Sequence, residues 1–129
     1  MNGQSMDSSR LNYFRQLLLT ELRLHARHVG DDQAAAIDIA NDGAKESADL
    51  SLRDVIEELA LKLGDRESQM VADIDQALLR MDEGGYGICV RCGQPIEERR
   101  LEALPTARYD AACQTVMEDA GGEKAHPTL

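Results

Sequence analysis

Apolar residues recur at helical spacing along most of this chain. Leu11, Phe14, Leu18, Leu22 and Val29 stand three, four or seven positions apart, which places them on one stripe of a helix predicted from about Arg10 to Ala40. Gly30 and the polar "DDQ" weaken that stripe midway, before "AAAIDIA" resumes with strong helix formers. Asn, Gly and clustered polar residues in "NDGAKESAD", residues 41–49, break the pattern. A second stripe follows: Leu52, Ile56, Leu59, Leu63, Met70, Ile74, Leu78 and Met81, widened by Val55 and Val71. It predicts a helix from about Ser47 to Asp82, continuous through residues 50–81.

At ~1.5 Å per residue the second helix is a rod of ~54 Å. Neither helix can bury its stripe alone. The expected solution is an antiparallel pair joined near residues 41–49, a long two-helix coiled coil with an acidic tip; a compact bundle is the competing arrangement. "DEGGYG", residues 82–87, ends the helix with two glycines and starts a tight turn. The segment 88–113 is too short for an apolar core of its own and requires a metal or docking onto the rod. The expected chain is mainly α: a disordered N-terminus over 1–9, a coiled-coil arm over 10–82, a zinc-finger-like globular part over 83–120 ending in a short C-terminal helix, and a disordered tail over 121–129.

Composition narrows the chemistry. With no Trp and one Phe, the core must be aliphatic. Acidic residues outnumber basic ones 24 to 14, for a formal charge of −10, and the longest basic run is Arg99–Arg100. A nucleic-acid surface needs clustered cations to neutralise phosphates, so direct DNA or RNA binding is not expected, nor is attraction to an anionic membrane. A basic protein surface or channel is the better partner. No apolar run approaches the ~18 residues of a membrane span. The N-terminus "MNGQSMDSSR" lacks the regions of a signal peptide. An odd cysteine count, with two thiols three residues apart, fits a reducing cytoplasm and metal chemistry rather than disulfides.

Those cysteines carry the strongest motif. Cys89 and Cys92 form a C-x₂-C pair, whose thiolates approach one ion from a tight knuckle without strain. Seventeen residues beyond Cys92, where the second pair should begin, stands Asp110, and Cys113 follows three positions later. The spacing is that of a C4 zinc site, with aspartate in the third ligand position. Aspartate is an accepted zinc ligand but a harder and weaker one than thiolate. The residues leave two readings open, a Cys₃Asp zinc site or a site where zinc is absent or loosely held. A thioredoxin-like reading of the knuckle fails, because a long helix and a glycine turn precede it rather than a strand. His126 lies in the polar tail, and His25 and His28 read as surface or seam residues of the first helix.

"DRESQMVADIDQALLRMDEGGYGICVRCGQPIEERRLEALPTARY", residues 65–109, closely resembles the DksA/TraR family of bacterial transcription factors. Its most specific part is "YGICVRCGQPIEERRLEALPTA", and the likeness extends from about Leu11 to Met117. The resemblance implies a monomeric, non-enzymatic factor that enters the secondary channel of RNA polymerase. A coiled-coil arm would carry an acidic tip toward the catalytic centre, and a four-cysteine zinc part would dock on the rim. Counted back from the knuckle without a gap, the family's tip pattern falls on Glu46, Asp49 and Ser51. Arg66 and Arg100 match basic positions on the arm and at the polymerase rim. Members that respond to guanosine tetraphosphate carry basic side chains where this chain has Asp73, Leu104 and Gln114, so a weak or absent response is expected. The alternatives are a transcript-cleavage factor of the Gre type, compatible with Glu46 and Asp49, and a zinc-dependent adaptor between proteins.

Overall fold

The computed structural model describes residues 6–43 and 51–125. Its elements are α1 (Ser8–Val29), α2 (Asp31–Gly43), α3 (Leu52–Lys62), α4 (Asp65–Glu83), α5 (Glu98–Ala103) and α6 (Ala111–Ala125). Among the described residues there is no strand, only an isolated antiparallel bridge between Ile88 and Pro95.

Each predicted rod is two helices. The first breaks at Gly30, whose backbone is extended and whose N–H still bonds Ala26 O. The second breaks at Leu63 and Gly64, two successive extended residues. The expected continuous helix over 50–81 is therefore corrected to α3 and α4.

At both breaks the chain reverses. Arg23 pairs with Asp38 at 2.6 Å and Arg15 donates to Asn41 Oδ1 at 3.1 Å, so α2 runs back along α1. Arg53 reaches Asp75 at 3.7 Å, so α3 and α4 form a second hairpin. The antiparallel pairing of the two stripes is retained, with α1 on α4 and α2 on α3. These contacts close a four-helix bundle with both breaks at one end.

Adjacent positions explain the bundle. Leu18 with Leu19, Val55 with Ile56, and Ala77 with Leu78 are all buried, although neighbours on a helix point ~100° apart. A face that wide needs two neighbouring helices, and a straight two-helix rod offers one. Met70 is 39% exposed, because Val71 takes the inward place in α4.

Helix begins and ends beyond the predicted arm and lobe. Asp7 caps α1, its side chain accepting from Arg10 N at 2.8 Å, and α6 extends to Ala125. The bundle core continues into the C-terminal lobe through Phe14 and Tyr86, whose rings lie 5.9 Å apart, and through Ile96, Leu101 and Ala107. Arg10 ties α1 to α5 through Glu98 and Glu102.

Candidate metal centre

The end of α4 sets the entry to the lobe. Gly84 adopts the left-handed conformation at φ 84°, and Gly85 N–H bonds Arg80 O at 2.9 Å, closing the helix. Tyr86 is buried beneath α1 and donates to Pro105 O at 2.7 Å. Gly87, at φ 83°, lies where an added Cβ would come within 2.9 Å of Met6. The knuckle follows: Cys89 N–H bonds Gln94 O and Gly93 N–H bonds Cys89 O, folding residues 89–94 so that both thiols face one side. Val90 N–H bonds Arg108 O at 2.8 Å, and this places the second half of the motif beside the first.

Asp110 does two things. It directly precedes α6, and its Oδ1 accepts from Cys113 N at 2.7 Å, capping the helix. Its Oδ2 accepts from Cys92 Sγ at 3.1 Å. Cys89, Cys92, Asp110 and Cys113 thus form one cluster, with ligand atoms all within 4.8 Å of one another. Spacing marks position 110 as a ligand, but an aspartate three residues before a helical N–H is also a capping signal.

The protonation pattern follows from the contacts. Burial opposes ionisation of Cys89, but backbone groups of Cys92, Asp110 and Arg91 outweigh it and bring the thiol down to about 7. The hydrogen bond to Asp110 pushes Cys92 up to about 12. The Cys113 N–H, then the Cys92 thiol, hold the Asp110 carboxyl below its usual range. Arg91 Nη1 lies 3.5 Å from Cys113 Sγ and sets a cation beside the cluster.

This donor set fits zinc. Zn–S and Zn–O distances of ~2.0–2.3 Å put tetrahedral ligand atoms ~3.3–3.8 Å apart, and atoms that all lie within 4.8 Å of one another reach that with a contraction of at most ~1.5 Å. The hydrogen bond from Cys92 to Asp110 would give way to a bond from each of them to the ion. Bound there, zinc supplies a cross-link between the knuckle and the first turn of α6.

Ser51 caps α3, accepting from Asp54 N at 3.1 Å, while Glu46 and Asp49 lie outside the described residues, as does His126. Arg66 is exposed in the first turn of α4. Arg100 is half-buried in α5, its Nε on Tyr109 O at 2.9 Å and its Nη2 3.4 Å from Gln114 Oε1. Asp73 accepts from Gln69, Leu104 is exposed, and Gln114 also bonds Glu118. His25 is buried and His28 exposed, yet both reach Glu67, a convergence the sequence reading did not anticipate.

Fold and lobe together define a helical-bundle protein bearing a C4-type zinc-finger unit with one aspartate ligand position. Residues 84–119 match the family model of the prokaryotic dksA/traR C4-type zinc finger. The RNA polymerase-binding transcription factor DksA of Caulobacter vibrioides is 34% identical over 116 residues, which cover 84% of this chain and 76% of that protein. The protein of the same name in Escherichia coli K12 is 30% identical over 122 residues, covering 88% and 74%. The solved structure of transcription factor DksA2 from Pseudomonas aeruginosa aligns with a TM-score of 0.57 at 28% identity, over 94% of this chain and 92% of that one. The chain belongs to the DksA/TraR family. Among the described residues, no helix is long and apolar enough to cross a membrane.

Proposed function

We propose that this chain regulates transcription initiation by binding RNA polymerase directly, as a cytoplasmic monomer, without catalysis and without contacting DNA or RNA. The observation that carries the reading is the 34% identity to an RNA polymerase-binding factor across 84% of the chain. The charge of −10 supports it, since an acidic protein suits a basic channel and not a phosphate backbone.

In this reading Cys89, Cys92, Asp110 and Cys113 hold zinc, and the lobe docks on the polymerase rim with Arg100, which Tyr109 O and Gln114 orient. Arg66 contributes a second cation on the arm. The hairpin of α2 and α3 carries the tip, and the two breaks at Gly30 and Leu63–Gly64 let it swing away from α1 and α4 into the secondary channel. There Glu46 and Asp49 place carboxylates near the catalytic ions, and Ser51 starts α3 behind them.

The nucleotide response is weak or absent. A tetraphosphate needs several cations, and this chain offers a carboxylate at Asp73, an apolar group at Leu104 and an amide at Gln114. Each lost charge-assisted bond is worth about 1.5–3 kcal/mol, enough in sum to weaken binding well over tenfold.

The test is binding to core polymerase, paired with a runoff assay, for the parent and Asp49→Asn. Unchanged affinity with loss of the effect on initiation is expected. Failure of the parent to bind polymerase sinks the proposal and favours an adaptor, whereas shortened transcripts would mark a cleavage factor. In the same assay guanosine tetraphosphate should change little, and Asp73→Lys with Gln114→Lys should create a response.

A further inference from the structure

The end of the bundle where both hairpins turn holds a second cluster. His25 and His28 stand one turn apart in the last turns of α1, and Glu67 lies in the first turn of α4. Both imidazoles present the same atom to the same oxygen: His25 Nδ1 is 2.7 Å and His28 Nδ1 2.6 Å from Glu67 Oε2. The ligand atoms of all three residues lie within 4.8 Å of one another. The two rings meet edge to face, with centroids 6.1 Å apart, so neither blocks the other's nitrogen.

We propose that His25, His28 and Glu67 form a second metal site, separate from the cysteine lobe, that takes a divalent first-row transition cation such as zinc, cobalt or nickel. Two imidazoles and a carboxylate suit these borderline ions, and three protein ligands leave positions for water. Burial supports both halves of that requirement. His25 is 8% exposed and fixed among packed helices, whereas the His28 side chain is 62% exposed and that of Glu67 31%, which gives an ion an open approach.

The rearrangement is small. Ligand atoms around a tetrahedral ion at ~2.0–2.2 Å stand ~3.3–3.6 Å apart, so each Nδ1–Oε2 contact widens by at most ~1 Å. Each Nδ1 proton now directed at Glu67 leaves as the ion binds, to solvent or to the ring's own Nε2, and the neutral imidazole protonated on Nε2 gives its Nδ1 lone pair to the ion. The ion joins α1 to α4 beside Gly30 and Gly64, so its occupancy bears on the junction about which the two halves of the bundle are arranged.

The experiment uses the full untagged chain, loaded with one equivalent of zinc and then titrated with Co²⁺ and with Zn²⁺ against a chromophoric chelator. Two ions per chain are expected, the added cobalt giving visible bands without thiolate charge transfer. Histidine nitrogen spectra should show Nδ1 of both His25 and His28 shifting with the second zinc. His25→Gln with His28→Gln should bind one ion, and Glu67→Gln, which keeps the shape of the site, should weaken the second ion at least tenfold. A stoichiometry of one in the parent, a second ion held equally by the variants, or binding only in millimolar metal would each overturn the proposal.

Discussion

Spin labels attached through ketone-bearing side chains at positions 53 and 75 would report whether the two halves of the bundle separate, without modifying any cysteine. In the folded chain Arg53 Nη2 stands 3.7 Å from Asp75 Oδ2, across the seam between α3 and α4. Were that stretch one straight helix, its 22-residue separation would place the two positions about 33 Å apart. The energy of opening follows from what the seam buries. Leu18, Leu22, Ile37, Ile56, Leu59 and Ile74 are at most 2% exposed, and straightening both hairpins leaves each covered from one side. Full burial of such a side chain is worth about 1.5–3 kcal/mol, so losing half of it at these positions costs about 5–9 kcal/mol. At ~1.4 kcal/mol per decade, fewer than one free molecule in about a thousand is open. Double electron–electron resonance should therefore give one short distance for the free chain, and a distance near 33 Å once core polymerase is bound. A long population in the free chain would refute the folded-back packing. A short distance persisting in the complex would refute insertion of an extended arm.

Phe14 is fully buried against Tyr86, and Phe14→Ala should cost about 3–5 kcal/mol in urea unfolding, or about 12–20 °C in Tm at this chain length; a loss under ~1 kcal/mol would mean that α1 does not seal the lobe. Asp110→Asn keeps a capping oxygen but loses an anion that the folded chain favours, so apo stability should fall somewhat at neutral pH while zinc affinity falls further. Asp110→Cys should raise zinc affinity at least tenfold in chelator competition and loosen the start of α6 without metal. Burial raises the pKa of Asp75 more than Arg53 lowers it. The folded chain then binds this proton more tightly than the unfolded one, so the resulting stability is present at low pH and is lost as pH rises through the folded pKa. Asp75→Asn, a mimic of the protonated acid, should accordingly be more stable than the parent at neutral pH, with the gap closing as pH falls through the carboxylate range.

Periodicity located the helices because it is a local signal. It located neither reversal, since a stripe facing one partner and a face spanning two differ only in residues such as Leu19, Ala26 and Ala77, which flank the stripe. Gly30 was legible as a weak point in the first helix; Leu63, read as a core position, instead stands in an extended break ahead of Gly64. At the metal centre the knuckle and its distant half were legible from spacing alone, because four ligands around one ion demand it. The pairing of His25 and His28 with Glu67 was not, as it depends on the register of two helices some forty residues apart in sequence.

The segment between α5 and α6 is held almost wholly by its main chain. Tyr86 bonds Pro105 O, Arg80 reaches Thr106 O and Ala107 O, and Val90 N–H bonds Arg108 O. Carbonyl oxygens are the same whatever side chain they accompany. Apart from the buried Ala107, Tyr109 packed on the core and Asp110 itself, the identities of residues along this segment can therefore drift without disturbing the register that brings Asp110 and Cys113 to Cys89 and Cys92. Such a loop is a place where a lineage can revise which surface it recognises while inheriting its metal scaffold intact.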